Sequence, residues 1–335
     1  MAGAGFFAQF QAEAWRRVEG AEIVAVADLD RARAEAFAAR WGIPRIYADA
    51  AEMLAAEQPN FLDIVTGPET HRELAALAAE RGVDAICQKP MAPRLEDCRA
   101  MAETARRAGV RLLMHENWRW QAWYREVRRL LDEGTLGAPY YLGFLLRNGD
   151  GRGEEPYSAQ PYFKLMKRFL IYETLVHFLD TFRFLGGEVE SVYCETMRLN
   201  PVMAGEDAAV IQMKFLSGAH GVIDANRISG PFPSEPAFGR LRLEGERAML
   251  GMDGFGRMEV KEHGGEARAH EYEIPQAGYR GDSVRAFQSH AVRCLQSGAR
   301  CESEAEEYLK TVLLVEACYE SAASGKPVRL ADYGR

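Results

Sequence analysis

Lys89, Glu173 and His177 are the side chains whose types and surroundings suit acid–base chemistry in this chain. Lys89 stands in Gln88-Lys89-Pro90, directly after an apolar run. An ammonium fixed there by the following proline can reach a hydroxyl oxygen and steady negative charge developing on it. Read alone, it is a surface lysine. Glu173 and His177 are i,i+4, and Asp180 follows three residues later, so a helix sets all three on one face. A carboxylate beside an imidazole orients the ring and raises its basicity, as a general base near neutral pH requires. An isolated E-x-x-x-H is an ordinary surface ion pair. Here Leu170, Ile171, Leu175, Val176 and Phe178 surround it, which predicts a buried helix, and a buried carboxylate–imidazole pair needs a reason.

A second constellation lies at the start of the chain. Gly3-Ala4-Gly5-Phe6-Phe7-Ala8 fits G-x-G-x-x-G/A. The first glycine permits a tight turn, the second lets phosphate approach the backbone, and the small last residue lets helix lie on sheet. Pyrophosphate would sit on the free N–H groups of the helix start. Alone the motif is weak. Asp28 strengthens it, ending a strand about 20 residues beyond the loop, where a carboxylate holds ribose hydroxyls and repels a 2′-phosphate. NAD is therefore favoured, although Arg31 and Arg33 keep NADP open.

Positioning these groups requires a particular set of elements. Apolar runs at 22–28, 61–66, 83–87 and 110–115 alternate with helical stretches at 30–41, 69–81 and 95–107, with Asp30 as an N-cap. That rhythm predicts a parallel sheet covered on both faces, a doubly wound Rossmann domain over residues 1–119. Thr66-Gly67-Pro68-Glu69-Thr70-His71, Gln88-Lys89-Pro90 and the stretch 114–120 fall at the carboxyl ends of its strands, where ligands bind in such sheets. Only Met1 and Ala2 precede the loop, so the strand expected there is missing and an earlier start is the expectation. After residue 119 come a helix at 123–133, a strand at 140–146, a glycine-rich structureless stretch at 148–155 and a helix at about 167–185. Short strand-like runs between turns over 189–273 then predict a large, mostly antiparallel sheet. Helices at 283–296 and 304–323 close a second, α+β domain over 120–335.

The chain of 335 residues carries 41 Lys and Arg against 49 Asp and Glu, a net charge of −8. That balance argues against nucleic acid or an anionic membrane as partner. No apolar run approaches the roughly 18–20 residues that span a bilayer, and no export signal is visible, so a cytoplasmic protein is expected. The six cysteines are scattered without a C-x-x-C pair or a histidine at metal-ligand spacing, so they read as idle thiols and no metal is expected.

In this order the motifs resemble those of the glucose-fructose oxidoreductases, inositol dehydrogenases and their relatives. The resemblance runs from the glycine loop through T-x-P-x-x-H, the [EQ]-K-P turn and a D-x-G-x-H helix. It continues through Glu244-Gly245-Glu246-Arg247-Ala248-Met249-Leu250 to the helix containing residues 315–322. It implies a nicotinamide-dependent dehydrogenase of a sugar, inositol or related polyol, and a homodimer or homotetramer. Lys89 would contact the reacting hydroxyl and the nicotinamide region, His177 would be the acid/base, and Glu173 would match the family's assisting aspartate. The cofactor set is Gly3, Gly5, Phe6, Phe7, Asp28, Thr66, Pro68, His71, Gln88, Lys89 and Asn117. The substrate set is Arg119, Tyr162, Lys164, Arg168 and Asp180, although a solvated basic face explains the cations equally well. Gln88 replaces the usual glutamate, Glu173 is one methylene longer than aspartate, and Leu175 fills a glycine position. The whole reading requires Lys89 and His177 to meet over one nicotinamide ring. A cofactor-binding sensor without turnover, and a glycosidase or lyase that recycles its NAD, remain as alternatives.

Overall fold

In the computed structural model residues 1–232, 234 and 239–334 are described. Their contacts divide the chain into two units, Met1–Gln121 with Pro275–Val312, and Ala122–Ile274 with Leu313–Arg335.

The first unit is a parallel row in the order Arg45–Tyr47, Ala25–Ala27, residues 1–3, Phe61–Ile64, Asp84–Gln88 and Leu112–His115. Numbered along the chain this is 3-2-1-4-5-6, the dinucleotide-binding order. The first strand is cut down as expected, to isolated bridges at one residue. Ala2 bridges both Ala27 and Ile64. Ala2 N–H donates to the Asp63 carbonyl and Gly3 N–H to the Ala27 carbonyl, each at 2.8 Å. Residues 1–3 thus occupy the centre of the sheet in miniature. Asp30 caps Arg31–Trp41 through Arg33 N–H, as expected. The strand Arg45–Tyr47 and the helix Ala50–Glu57 were not foreseen. Three residues that include an exposed arginine carry no readable apolar period.

The division near residue 119 falls at Gln121, but the second domain is not the single stretch 120–335, because Pro275–Val312 belongs to the first unit. The helix Ser283–Ser297 buries Phe287, Ala291 and Val292 in one core with Ala8, Ala12 and Trp15. Met114 N–H donates to the Ser303 carbonyl (2.7 Å), so the loop at 301–304 covers the outer edge of the strand Leu112–His115.

The second unit holds a nine-stranded sheet. Its order is Arg268–His270, Met258–Glu262, Ala248–Met252, Arg240–Gly245, Pro139–Arg147, His220–Asn226, Ala208–Phe215, Val189–Met197, Val328–Arg329. Its pairs are antiparallel except Pro139–Arg147 with His220–Asn226, which run parallel, so the sheet is mixed. Burial alternates as a one-sided sheet demands. In Ala208–Phe215, Ile211, Met213 and Phe215 are buried while Gln212 and Lys214 are exposed. Phe178 of the helix Val176–Gly186 stacks on Phe144 at 4.3 Å, holding that helix to the sheet. The helix expected from about 167 begins instead as a π-helical turn, Leu170–Leu175, which then passes into the α-helix. Among the described residues no helix is long and apolar enough to cross a membrane.

Candidate active site

The glycine loop of the first unit is shaped by what a side chain would strike. Gly3 has φ +98°, and a Cβ there would lie 2.7 Å from the Val65 carbonyl oxygen, so only glycine fits. A Cβ on Gly5 would meet nothing within 4 Å, which leaves the loop open on the side where a phosphate would approach. The helix Ala8–Trp15 starts without a side-chain cap, as a helix end that receives an anion does. Phe6 is exposed with its ring edge-on to Phe10, and Phe7 sits against His115 and Tyr279.

Asp28 is tied directly to this loop. It accepts N–H bonds from Ala4 (2.8 Å) and Asp30 (2.9 Å) and two from the Arg33 guanidinium (2.9 and 3.2 Å). Burial opposes its charge, but Arg33 and the two backbone donors more than offset this and hold the carboxyl below its usual range. Arg31 turns away to Glu35. An open glycine loop beside a fixed carboxylate fits a dinucleotide with free ribose hydroxyls.

The remaining strand-end residues divide into surface and brace. Thr66 accepts from the Thr70 hydroxyl (2.7 Å), and Pro68 opens the helix Pro68–Glu80. His71 is fully buried, with Nε2 3.1 Å from the Thr66 carbonyl and Nδ1 3.1 Å from those of Pro90 and Met91. It clamps two strand-end turns from beneath and so holds Lys89, where a cofactor contact had been expected. Gln88 folds back to accept Lys89 N–H (2.8 Å). Oriented to satisfy its neighbours, the Gln11 amide accepts from Gln88 Nε2 (3.0 Å) and donates to Asp63 (2.7 and 2.9 Å). Asp63 also accepts from Trp15 Nε1 (2.7 Å). A buried chain of hydrogen bonds therefore runs from Asp63 to the Lys89 backbone, and nothing in the sequence announced it. Asn117 is buried and donates to the Ser283 hydroxyl (2.8 Å), which ties it to the helix Ser283–Ser297 rather than to an open surface. Arg119 is buried too.

In the second unit His177 lies in the first turn of Val176–Gly186, 7% exposed, with its carbonyl accepting from the Thr181 hydroxyl (2.8 Å). Glu173 sits in the π-helical turn, accepts from the Thr174 hydroxyl (2.8 Å) and lies 3.9 Å from the Arg227 guanidinium. Arg227 is the main residue the sequence reading missed. It donates to both carboxylate oxygens of Asp150 and to the Thr174 hydroxyl (3.0 Å), with Tyr157, Phe163 and Phe169 around it. Burial works against this cation and Asp150 more than restores it. The glycine-rich stretch that carries Asp150 is not structureless. Asn200 Nδ2 donates to the carbonyls of Gly151 (2.7 Å) and Gly153 (2.9 Å), and Gly151 N–H donates to the Arg227 carbonyl (2.8 Å).

The expected substrate residues scatter. Tyr162 is exposed and accepts from Gln160 Nε2 (2.8 Å). Lys164 donates to the Glu154 carbonyl (2.9 Å) and pairs with Glu155, inside its own loop. Arg168 is committed elsewhere, paired with Glu316 at 2.6 Å and stacked over Tyr319 at 4.1 Å, so it ties the long helix Ala305–Ser324 to the segment before the π turn. Asp180 is fully buried, three residues beyond His177. Glu206 was not foreseen. It accepts the N–H groups of Phe169 (3.2 Å) and Ile171 (3.1 Å) and the Tyr319 hydroxyl (2.6 Å), and so caps the turn that carries Glu173.

Comparison with known proteins agrees with this architecture at both ends of the chain. Residues 1–116 match the family described as an oxidoreductase family with an NAD-binding Rossmann fold, and residues 124–250 match the GFO/IDH/MocA C-terminal domain. D-apiose dehydrogenase of Paraburkholderia graminis is 38% identical over 98% of this chain and 88% of its own length. D-apiose dehydrogenase of Rhizobium rhizogenes is 35% identical over 97% of this chain and 95% of its own length. An oxidoreductase from Agrobacterium radiobacter, solved in complex with NAD+, L-tartaric acid and magnesium, superposes with a TM-score of 0.93 at 34% identity, covering 99% of this chain and 98% of that one. The chain belongs to the Gfo/Idh/MocA family and is an NAD-dependent oxidoreductase.

Proposed function

We propose that this chain oxidises a hydroxyl of a small sugar or polyol, with apiose-like pentoses as the first class to try. The observation that carries the substrate class is that both D-apiose dehydrogenases align over 97–98% of the chain. The glycine loop and Asp28 would hold NAD, which when bound would supply the hydride acceptor. The protein's own groups do the rest. His177 takes the hydroxyl proton as the carbinol carbon gives up its hydride, and Lys89 steadies negative charge on the oxygen as it becomes a carbonyl. Glu173, tethered by Thr174 and Arg227, orients the imidazole. Gln88 and His71 hold the turn from which Lys89 projects.

The test is NADH formation with D-apiose, other pentoses and inositols, in the wild type, Lys89→Met and His177→Asn. Each variant is expected to lose on the order of 10²–10⁴ in kcat with NAD affinity kept. Unchanged turnover in Lys89→Met removes that lysine from the mechanism. NAD binding without turnover of any sugar favours a sensor instead.

A further inference from the structure

We propose that His290, Cys294 and Cys301 form a binding site for a thiophilic divalent cation of the zinc class, apart from the dehydrogenase chemistry. The thiols looked idle in the sequence, but the fold gathers two of them beside a histidine. His290 and Cys294 are i,i+4 on Ser283–Ser297, hence on one face. The helix ends at Gly298, φ +71°, and the returning chain brings Cys301 back against them. One ligand atom from each of the three lies within 4.8 Å of the other two, and Cys294 Sγ is 3.4 Å from His290 Nε2. A tetrahedral zinc with bonds of about 2.3 Å to sulfur and 2.0 Å to nitrogen has ligand–ligand edges of roughly 3.5–3.8 Å. The longest separation therefore has to shorten by only about an ångström.

Metal binding would rearrange the groups' present bonds. His290 Nε2 accepts the Glu302 N–H (3.1 Å), so a metal on that nitrogen has to displace this hydrogen bond. The ring is held by stacking on Trp120 at 4.5 Å. Both thiols are buried. Binding is then an exchange in which one divalent cation enters, two thiol protons leave and the imidazole gives its lone pair. The resulting centre of two thiolates and one dication is neutral, as a buried site favours. Water fills the fourth position. Mere packing explains a buried cysteine, but it does not explain three soft donors converging from a helix and a loop. The metal would tie Ser283–Ser297 to the loop that covers the edge of the parallel sheet, and so would stabilise the first unit without touching the reaction.

The experiment uses the whole chain, reduced and stripped with a chelator. Zinc is titrated against a chromophoric chelator, and cobalt(II) is added separately for its spectrum. One equivalent per chain is expected, with thiolate-to-cobalt charge transfer in the near ultraviolet and the visible bands of a tetrahedral site. Cys294→Ser and Cys301→Ser should each weaken binding by about a hundredfold or more, since each removes one of three ligands. Should a variant fail to fold, alkylation of the wild type followed by mass spectrometry decides the matter, because zinc should shield Cys294 and Cys301 and no other cysteine. Absence of stoichiometric binding, affinity unchanged in both serine variants, no selective shielding, or isolation as a Cys294–Cys301 disulfide that takes no metal overturns the assignment.

Discussion

Glu206 lies outside the turn Leu170–Leu175 yet accepts from the buried Phe169 and Ile171 N–H groups and from the hydroxyl of the half-buried Tyr319. Glu206→Ala leaves these donors without a partner. Each stranded donor costs about 1–3 kcal/mol, roughly 3–9 kcal/mol together. Removing a buried carboxylate returns several kcal/mol of desolvation, so the net loss is about 3 kcal/mol. At about 2–4 °C per kcal/mol for a unit of this size, the midpoint of thermal unfolding should fall by about 6–12 °C. The turn leads into His177, so kcat should fall as well, while KM for NAD holds because the glycine loop belongs to the other unit. Glu206→Gln keeps an acceptor oxygen and should melt between the two. Circular dichroism melts with steady-state kinetics give both readouts. An alanine variant melting within about a degree of the wild type, or a glutamine variant melting as low as alanine, would refute the capping argument.

Three further outcomes follow from the first unit. Burial raises the Asp63 carboxyl from its ordinary 3.8 to about 6, with Trp15 and the terminal ammonium pulling the other way. The folded chain therefore holds an extra proton between about pH 4 and 6 and loses stability as pH rises through that window. Asp63→Asn should remove this component, and a stability difference between variant and wild type that does not change with pH in urea melts contradicts it. Asp28→Ser should raise KM for NAD by about tenfold or more, the worth of a charged hydrogen bond, and increase relative use of NADP because Arg33 loses its partner. Equal discrimination before and after the change would clear Asp28 of that role. Gly3→Ala places a Cβ 2.7 Å from the Val65 carbonyl oxygen at φ +98°, so dye-monitored melting and NAD titration should both show a loss. Normal affinity in that variant would mean the loop can yield.

The sequence made local devices visible and left remote meetings hidden. Gly3 and Asp28 were legible because a positive-φ turn and a strand-ending acid are properties of short stretches. The direction in which His71 points was not, since its spacing fits an outward contact and an inward clamp equally well. Asp150 and Arg227 are 77 residues apart and meet only through strand pairing. The i,i+4 interval of His290 and Cys294 was open to view and passed over, while Cys301 lies beyond the helix end, where no helical period applies. Pro275–Val312 was assigned by its position in the chain, yet the apolar face of Ser283–Ser297 decides its place.

The lone parallel pair in the nine-stranded sheet has its own consequence. Neighbours running the same way emit their following segments from the same edge, so the chain leaving Arg147 and the chain leaving Asn226 emerge side by side. They share backbone bonds at once, Asn148 N–H to the Asn226 carbonyl and Gly151 N–H to the Arg227 carbonyl. Their contact is so close that a Cβ on Gly149 would lie 2.9 Å from Gly230 Cα. Two stretches far apart in the gene thus form one composite wall, and neither can be lengthened or shortened alone. An insertion after Arg147 would unseat Arg227 unless a matching change followed Asn226, so diversification of this edge has to proceed in paired steps.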